Sequence, residues 1–403
     1  MEDEKKIPES LREVPASEIL AKIEKGKPVD YENIIAKGDF LIKNLNLPMD
    51  NEKFIIHSAI IIKDSIIEGV FIFNNAIFED YINFSGTVFS RFANFEGSEF
   101  DTSIDFTRSN FGEVVFFREA HFDDATIFDD TKFDWADFSG SKFREFISFQ
   151  GCKFSGFANF GLSVFSNIAS FKKVRFGVES HFRRSKFGTY VDFSEAFFAR
   201  TAEFRESKIR GELTFRNANF DSPLSQEIAC RKAKNAYEKN GNKGEAEYHF
   251  YREMEAIRKR RGFFFSEPDY FPKETIKSLR VENWEIIKRI LWYDALEYFL
   301  IQLIFGYGVH PKRLMIAWGA IVIAFSLLYW IGNGMSDAVG WFDYLKFSFA
   351  TAMAPGYIAT IISPGSTGYR LIPEYQAAAM AESIFGTFLW AGFIATFARK
   401  YMR

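Results

Sequence analysis

Cysteine is nearly absent: the 403 residues contain two, Cys152 and Cys230, in unlike segments. That excludes a disulfide framework or a thiolate metal cluster and fits a reducing interior. Histidine is equally sparse, and no two of His57, His121, His181, His249 and His310 stand at metal-ligand spacing. No nucleophile motif, phosphate loop or carboxylate pair stands out, so nothing points to an enzyme. Charge of one sign is also lacking. The formal net charge of -3 excludes a generally basic nucleic-acid binder. Residues 1–15 are polar and charged, without the apolar stretch of a signal or transit peptide, and a cytoplasmic N-terminus is expected.

What the chain has in excess is phenylalanine, 50 residues of it. From Phe73 to Phe220 one returns every five or six residues, the two spacings alternating, with Ile209 the one substitute. Two residues before each stands a compact side chain, as at Ala93, Ser98, Ser109, Ala120, Ser141 and Cys152, while the remaining positions carry charge. A short period sustained this long predicts a solenoid, in which each coil stacks on the last. Four sides of alternating length close a coil of about 22 residues. Phe84, Phe106 and Phe128 then share one column, and Phe89, Phe111 and Phe133 the next. Between Phe128 and Phe143 the spacing stays at five, which predicts a local kink or a lost bulge. Ile56, Ile62 and Ile67 extend the pattern upstream in aliphatic form.

These residues resemble the pentapeptide-repeat family over residues 54–222. The resemblance implies a right-handed quadrilateral β-helix, here of about eight coils and on the order of 35–40 Å long. Residues 1–50 are expected to cap it, with a short helix over Ser17–Ile23 that starts on a serine cap and ends at Gly26. Charge along the rod is uneven. Residues 51–145 hold 18 acids and 8 bases, whereas 146–222 hold 7 acids and 12 bases. A basic near end would suit anionic headgroups, and ordinary solvated faces explain the counts equally.

After Pro223 the period stops. Residues 223–262 read as a helical hairpin broken at Asn240-Gly241-Asn242 and ending in Arg258, Lys259, Arg260 and Arg261. That basic run either complements the helix dipole or contacts lipid phosphates. Residues 263–312 read as an aromatic linker and a helix lying along the membrane surface. From 313 to 403 the chain changes character. Leu314–Ile331 carries no charge and is just long enough to cross a bilayer, and Ala377–Ala398 carries one acid, Glu382. Lys312 and Arg313 precede the first span, and Arg399, Lys400 and Arg403 follow the second. This cation distribution predicts a multi-pass protein of the cell membrane with both termini in the cytoplasm. Between the spans, Trp341–Met353 is amphipathic and too short to cross; it stops at Ala354-Pro355-Gly356-Tyr357. Such a segment reads as a re-entrant loop, tolerated at membrane depth where it lines a passage.

Residues 285–403 resemble the two-helix potassium channels, with Ala354-Pro355-Gly356-Tyr357 standing at the filter and Gly386 at the gating glycine. The resemblance implies a selectivity filter of Ala354, Pro355, Gly356, Tyr357 and Ile358, and a pore helix bearing Phe347, Ser348, Thr351 and Met353. It implies an inner helix and gate with Glu382, Ser383, Gly386, Phe393 and Phe397. Glu382 is assigned to brace the pore loop. Membrane lipids would be met by Arg258, Lys259, Arg260, Arg261, Lys312 and Arg313. The fold class is thus multidomain: a β-helix, a helical linker and an all-α pore-loop domain. The expected protein is a homotetrameric cation channel that passes potassium or sodium, with no bound cofactor and an unidentified cytoplasmic partner for its rod. Ile358-Ala359 replaces the family's Gly-Asp, which turns one carbonyl ring away and opens a second reading, a non-conducting membrane-anchored scaffold. A third, DNA mimicry, needs a continuous acidic face, and the rod turns basic in its second half; no nucleic-acid partner is expected.

Overall fold

Most five-residue sides of the repeat contain a tight turn. In Phe84–Thr87 the N–H of Thr87 bonds back to the Phe84 carbonyl at 3.0 Å, and Ser98 to Phe95 and Ser109 to Phe106 do the same. The residue before each of these donors has positive φ: Gly86 (68°), Gly97 (67°), Arg108 (58°). That combination is a type II turn. The six-residue sides, such as those from Phe78 to Phe84 and from Phe89 to Phe95, lack this bond, so the alternation of five and six in the sequence is largely an alternation of two corner types. Between corners lie parallel strands, most of two or three residues, paired one coil apart, as in Phe78↔Phe100 and Phe89↔Phe111.

The computed structural model describes residues 11–261, 304, 306–336, 338–353 and 371–401, and the chain divides into two units, Met1–Arg261 and Gly262–Arg403. The first is a β-solenoid of about ten turns, not eight: on one face the strands stack in series from Arg12–Pro15 to Asn219–Phe220. The extra turns lie in 12–50, assigned from sequence to a cap. There Val14, Val29, Ile34, Ala36 and Ile42 fill the core, and aliphatic side chains do not show the phenylalanine rhythm.

The core is four columns of stacked rings. Phe84–Phe106–Phe128 stack at 5.6 and 4.9 Å, and Phe89–Phe111–Phe133 at 4.6 and 5.3 Å, the two columns expected. Rings on opposite sides meet edge to face, as Phe117 and Phe128 do at 5.6 Å. Both geometries suit the aromatic quadrupole. The compact residue two positions before each Phe does more than make room. Ser98, Ser109 and Ser163 donate their hydroxyls to the carbonyls of Phe73, Phe84 and Phe138 in the preceding coil, at 2.7–2.8 Å. These serines are fully buried, so the bond removes the cost of an orphaned hydroxyl. The expected slip is a one-residue register shift: Phe111 pairs with Phe133, but Val114 pairs with Trp135. The residue is lost at a corner, and the rings stay stacked, Phe117–Phe138 at 4.9 Å.

Helix α1 (Ala16–Glu24) buries Ile19 and Ile23 and starts after Pro15, with no side-chain cap. Ser17 therefore sits inside the helix, displaced from the expected cap by Pro15, whose extended backbone takes that position. At the other end α2 (Pro223–Lys239) and α3 (Lys243–Arg261) form a hairpin that covers the last coil. An open solenoid end exposes unpaired backbone. Here Ser225 Oγ accepts from the Ala202 N–H, Tyr248 OH from the Asn217 N–H, and His249 Nε2 from the Phe215 N–H. Lys232 and Arg252 donate to the carbonyls of Ser207 and Ala218. Arg231 holds the two helices together, pairing with Glu227 at 2.6 Å and Glu253 at 2.7 Å. The hairpin is thus the C-terminal cap of the solenoid.

In the second unit α4 (Pro311–Ile331), α5 (Trp341–Met353) and α6 (Gln376–Tyr401) pack together. Leu314, Trp318, Val322, Ala352 and Leu389 form one cluster, and Tyr329, Met335, Tyr344, Phe347, Leu371 and Ala379 another. The aromatic linker and most of the surface helix expected within 263–312 lie outside the described residues.

Candidate membrane site

Two helices are long and apolar enough to cross a membrane: Pro311–Ile331, of mean hydropathy 2.2, and Pro373–Ala398, of 1.4. A soluble core helix passes the same test, but only 28% of each window is buried within the unit. Ile316, Ile331, Ile384, Phe385 and Phe388 all stand more than half exposed. Apolar surface of that extent calls for lipid or neighbouring protein.

One polar cluster interrupts these apolar helices. Glu382, on α6, is fully buried. Its carboxyl accepts from Tyr329 OH on α4 at 2.8 Å and from Ser348 Oγ on α5. Ser348 Oγ also lies 2.7 Å from the Val322 carbonyl of α4. One carboxyl therefore ties the three helices together, and a buried polar group of this kind is costly unless satisfied. Tyr329 was not picked out from sequence. The signal was present: it is the one phenol in Leu314–Ile331, and a buried phenol requires a partner.

The other residues expected at the site fall as follows. Phe347 and Thr351 are buried on α5, where Thr351 Oγ1 bonds the Phe347 carbonyl at 2.9 Å, and Met353 ends the helix at 38% exposure. Ser383 is buried beside Glu382; Phe393 packs on the first cluster and Phe397 is exposed. Gly386 packs α6 directly against Ala352 of α5. A Cβ there would stand 2.5 Å from the Ala352 carbonyl oxygen, so only glycine fits. Ala354, Pro355, Gly356, Tyr357 and Ile358 lie outside the described residues.

The basic run and the span flank are also placed. Arg260 pairs with Glu227 at 2.9 Å and Lys259 with Glu255 at 3.3 Å, so both serve the hairpin. Arg258 shares the last turns of α3, and Arg261 is its final residue. Lys312 and Arg313 occupy the first turn of α4. Among the described residues no group of three or more His, Cys, Asp or Glu side chains could hold a metal.

Residues 149–196 match the family described as pentapeptide repeats, nine copies. No curated protein and no solved structure matches the chain.

Proposed function

We propose that the protein is a membrane cation channel whose pore is assembled from several copies around a re-entrant loop between α4 and α6. The observation that carries this reading is the position of α5. Thirteen residues rise about 20 Å, too little to cross a bilayer, yet α5 is bound to both long helices through the Glu382 carboxyl. A short helix held between two apolar helices, and followed in sequence by Pro355-Gly356-Tyr357, supports a pore helix and its filter. The tight fit of Gly386 against Ala352 supports the reading, because it holds α6 against the end of α5, two residues before Ala354.

In this reading backbone carbonyls of the filter replace the hydration shell of a monovalent cation, potassium or sodium. Four copies surround the axis, the exposed faces of α4 and α6 meet lipid and neighbouring copies, and both termini are cytoplasmic. The solenoid is then the cytoplasmic module that senses or assembles. Purified protein in liposomes, loaded with potassium or sodium and followed by a fluorescent flux assay, tests it. Cation efflux that is lost on Gly386→Val is expected. No flux for either ion, at any applied voltage or membrane tension, refutes conduction. It then favours the second reading, a membrane-anchored scaffold, which Ile358 supports because its branched side chain resists the backbone a filter glycine adopts.

A further inference from the structure

One face of the solenoid breaks the rule that outward positions are polar. The strands carrying Ala93, Val115, Ala136 and Ala158 bury these four residues, and their neighbours point outward. Those neighbours include Phe92, Phe116, Trp135 and Phe157, which climb the outside of the rod as a second, external ring ladder. Phe92 meets Phe116 at 5.2 Å, Phe116 meets Trp135 at 5.6 Å, and Trp135 stacks on Phe157 at 5.9 Å. Each ring is partly covered by the next, and each keeps surface open to the outside. The internal columns already supply the packing, so the fold itself does not need this ladder.

We propose that this face is where two copies of the chain meet, side by side and antiparallel. The charge of the rod selects both the occupant and the direction. The ladder straddles the point at which the rod changes sign, from 18 acids against 8 bases over 51–145 to 7 acids against 12 bases over 146–222. A second copy turned end for end lays its basic half on the acidic half of the first, at both ends of the contact. A parallel copy sets acid against acid, and like charges repel across an interface. A two-fold axis between Phe116 and Trp135 also gives each ladder an identical ladder to meet, the condition for a contact that closes at two copies. The pairing concerns the solenoid alone and does not depend on whether the membrane unit conducts.

Single-cysteine cross-linking of the full-length chain in detergent tests it, because Cys152 and Cys230 are buried and do not compete. Differently tagged Phe92→Cys and Phe157→Cys proteins are mixed and mildly oxidised. Antiparallel pairing gives a disulfide between the two tags, several-fold more than either variant forms with itself, and it weakens as salt is raised. Self-linking of Phe92→Cys that exceeds the mixed product overturns the antiparallel arrangement. Trp135→Glu in the same proteins removes the mixed disulfide while the β-sheet circular dichroism stays unchanged. If the disulfide survives that substitution, or if none forms between folded proteins, the face is not a contact between copies.

Discussion

His249 makes the C-terminal cap of the solenoid sensitive to pH. The ring is fully buried between α3 and the last coil. Its Nδ1–H donates to the Glu245 carbonyl at 2.9 Å, and its Nε2 accepts from the Phe215 N–H at 3.0 Å, so both nitrogens are satisfied only in the neutral form. Burial pushes its pKa down from 6.5 to about 4. The unfolded chain thus binds a proton that the folded chain refuses between those values. The stabilisation is complete above pH 6.5 and is lost as pH falls through 4. A shift of that size corresponds to on the order of 3 kcal/mol. His249→Gln offers an acceptor to Phe215 without titrating. Hydrogen exchange of the Ala202, Phe215 and Asn217 amides in the full chain, at pH 7 and at pH 4.5, reads the opening of the cap. The native cap should open far more often at pH 4.5, and the variant should show little change beyond that of the other titrating groups. Equal pH responses in the two proteins would refute the assignment.

The remaining expectations concern packing. Phe128 is fully buried and stacked at 4.9 Å on Phe106 and 5.0 Å on Phe149, so Phe128→Ala should cost about 3–5 kcal/mol in urea denaturation. Phe146→Ala, at a position 39% exposed, should cost much less in the same assay. Leu162 holds a φ of 62° at 61% exposure, and Leu162→Gly should stabilise by about 0.5–1 kcal/mol by removing left-handed strain. Gly386→Ala should lower the melting temperature of the detergent-solubilised protein by several degrees, because its Cβ collides with Ala352, whereas Gly319→Ala, with open space around it, should be neutral.

The phenylalanine spacing made the solenoid legible, down to which rings stack, because a coil of fixed length puts residues one coil apart in contact. Its first turns were not legible: Val29 and Ile34 do the same work as phenylalanine without a recognisable rhythm. The role of the hairpin was hidden for a different reason. Ser225, Tyr248 and His249 act on backbone N–H groups of the last coil, and no residue pattern records which amides a coil leaves unpaired. In the second unit, length and apolarity disclosed both long helices and the short one between them. A lone acid in a span marked Glu382, but its partners Tyr329 and Ser348, on two other helices, required the packing.

The depth of α5 in the bilayer decides the functional account. Spin labels on Val339→Cys, Met353→Cys and Glu374→Cys, in a chain whose own two thiols are buried, report depth and side separately. The account predicts Met353 deep in the membrane, with Val339 and Glu374 at one and the same surface. All three labels at the surface, or Val339 and Glu374 on opposite sides, would contradict it.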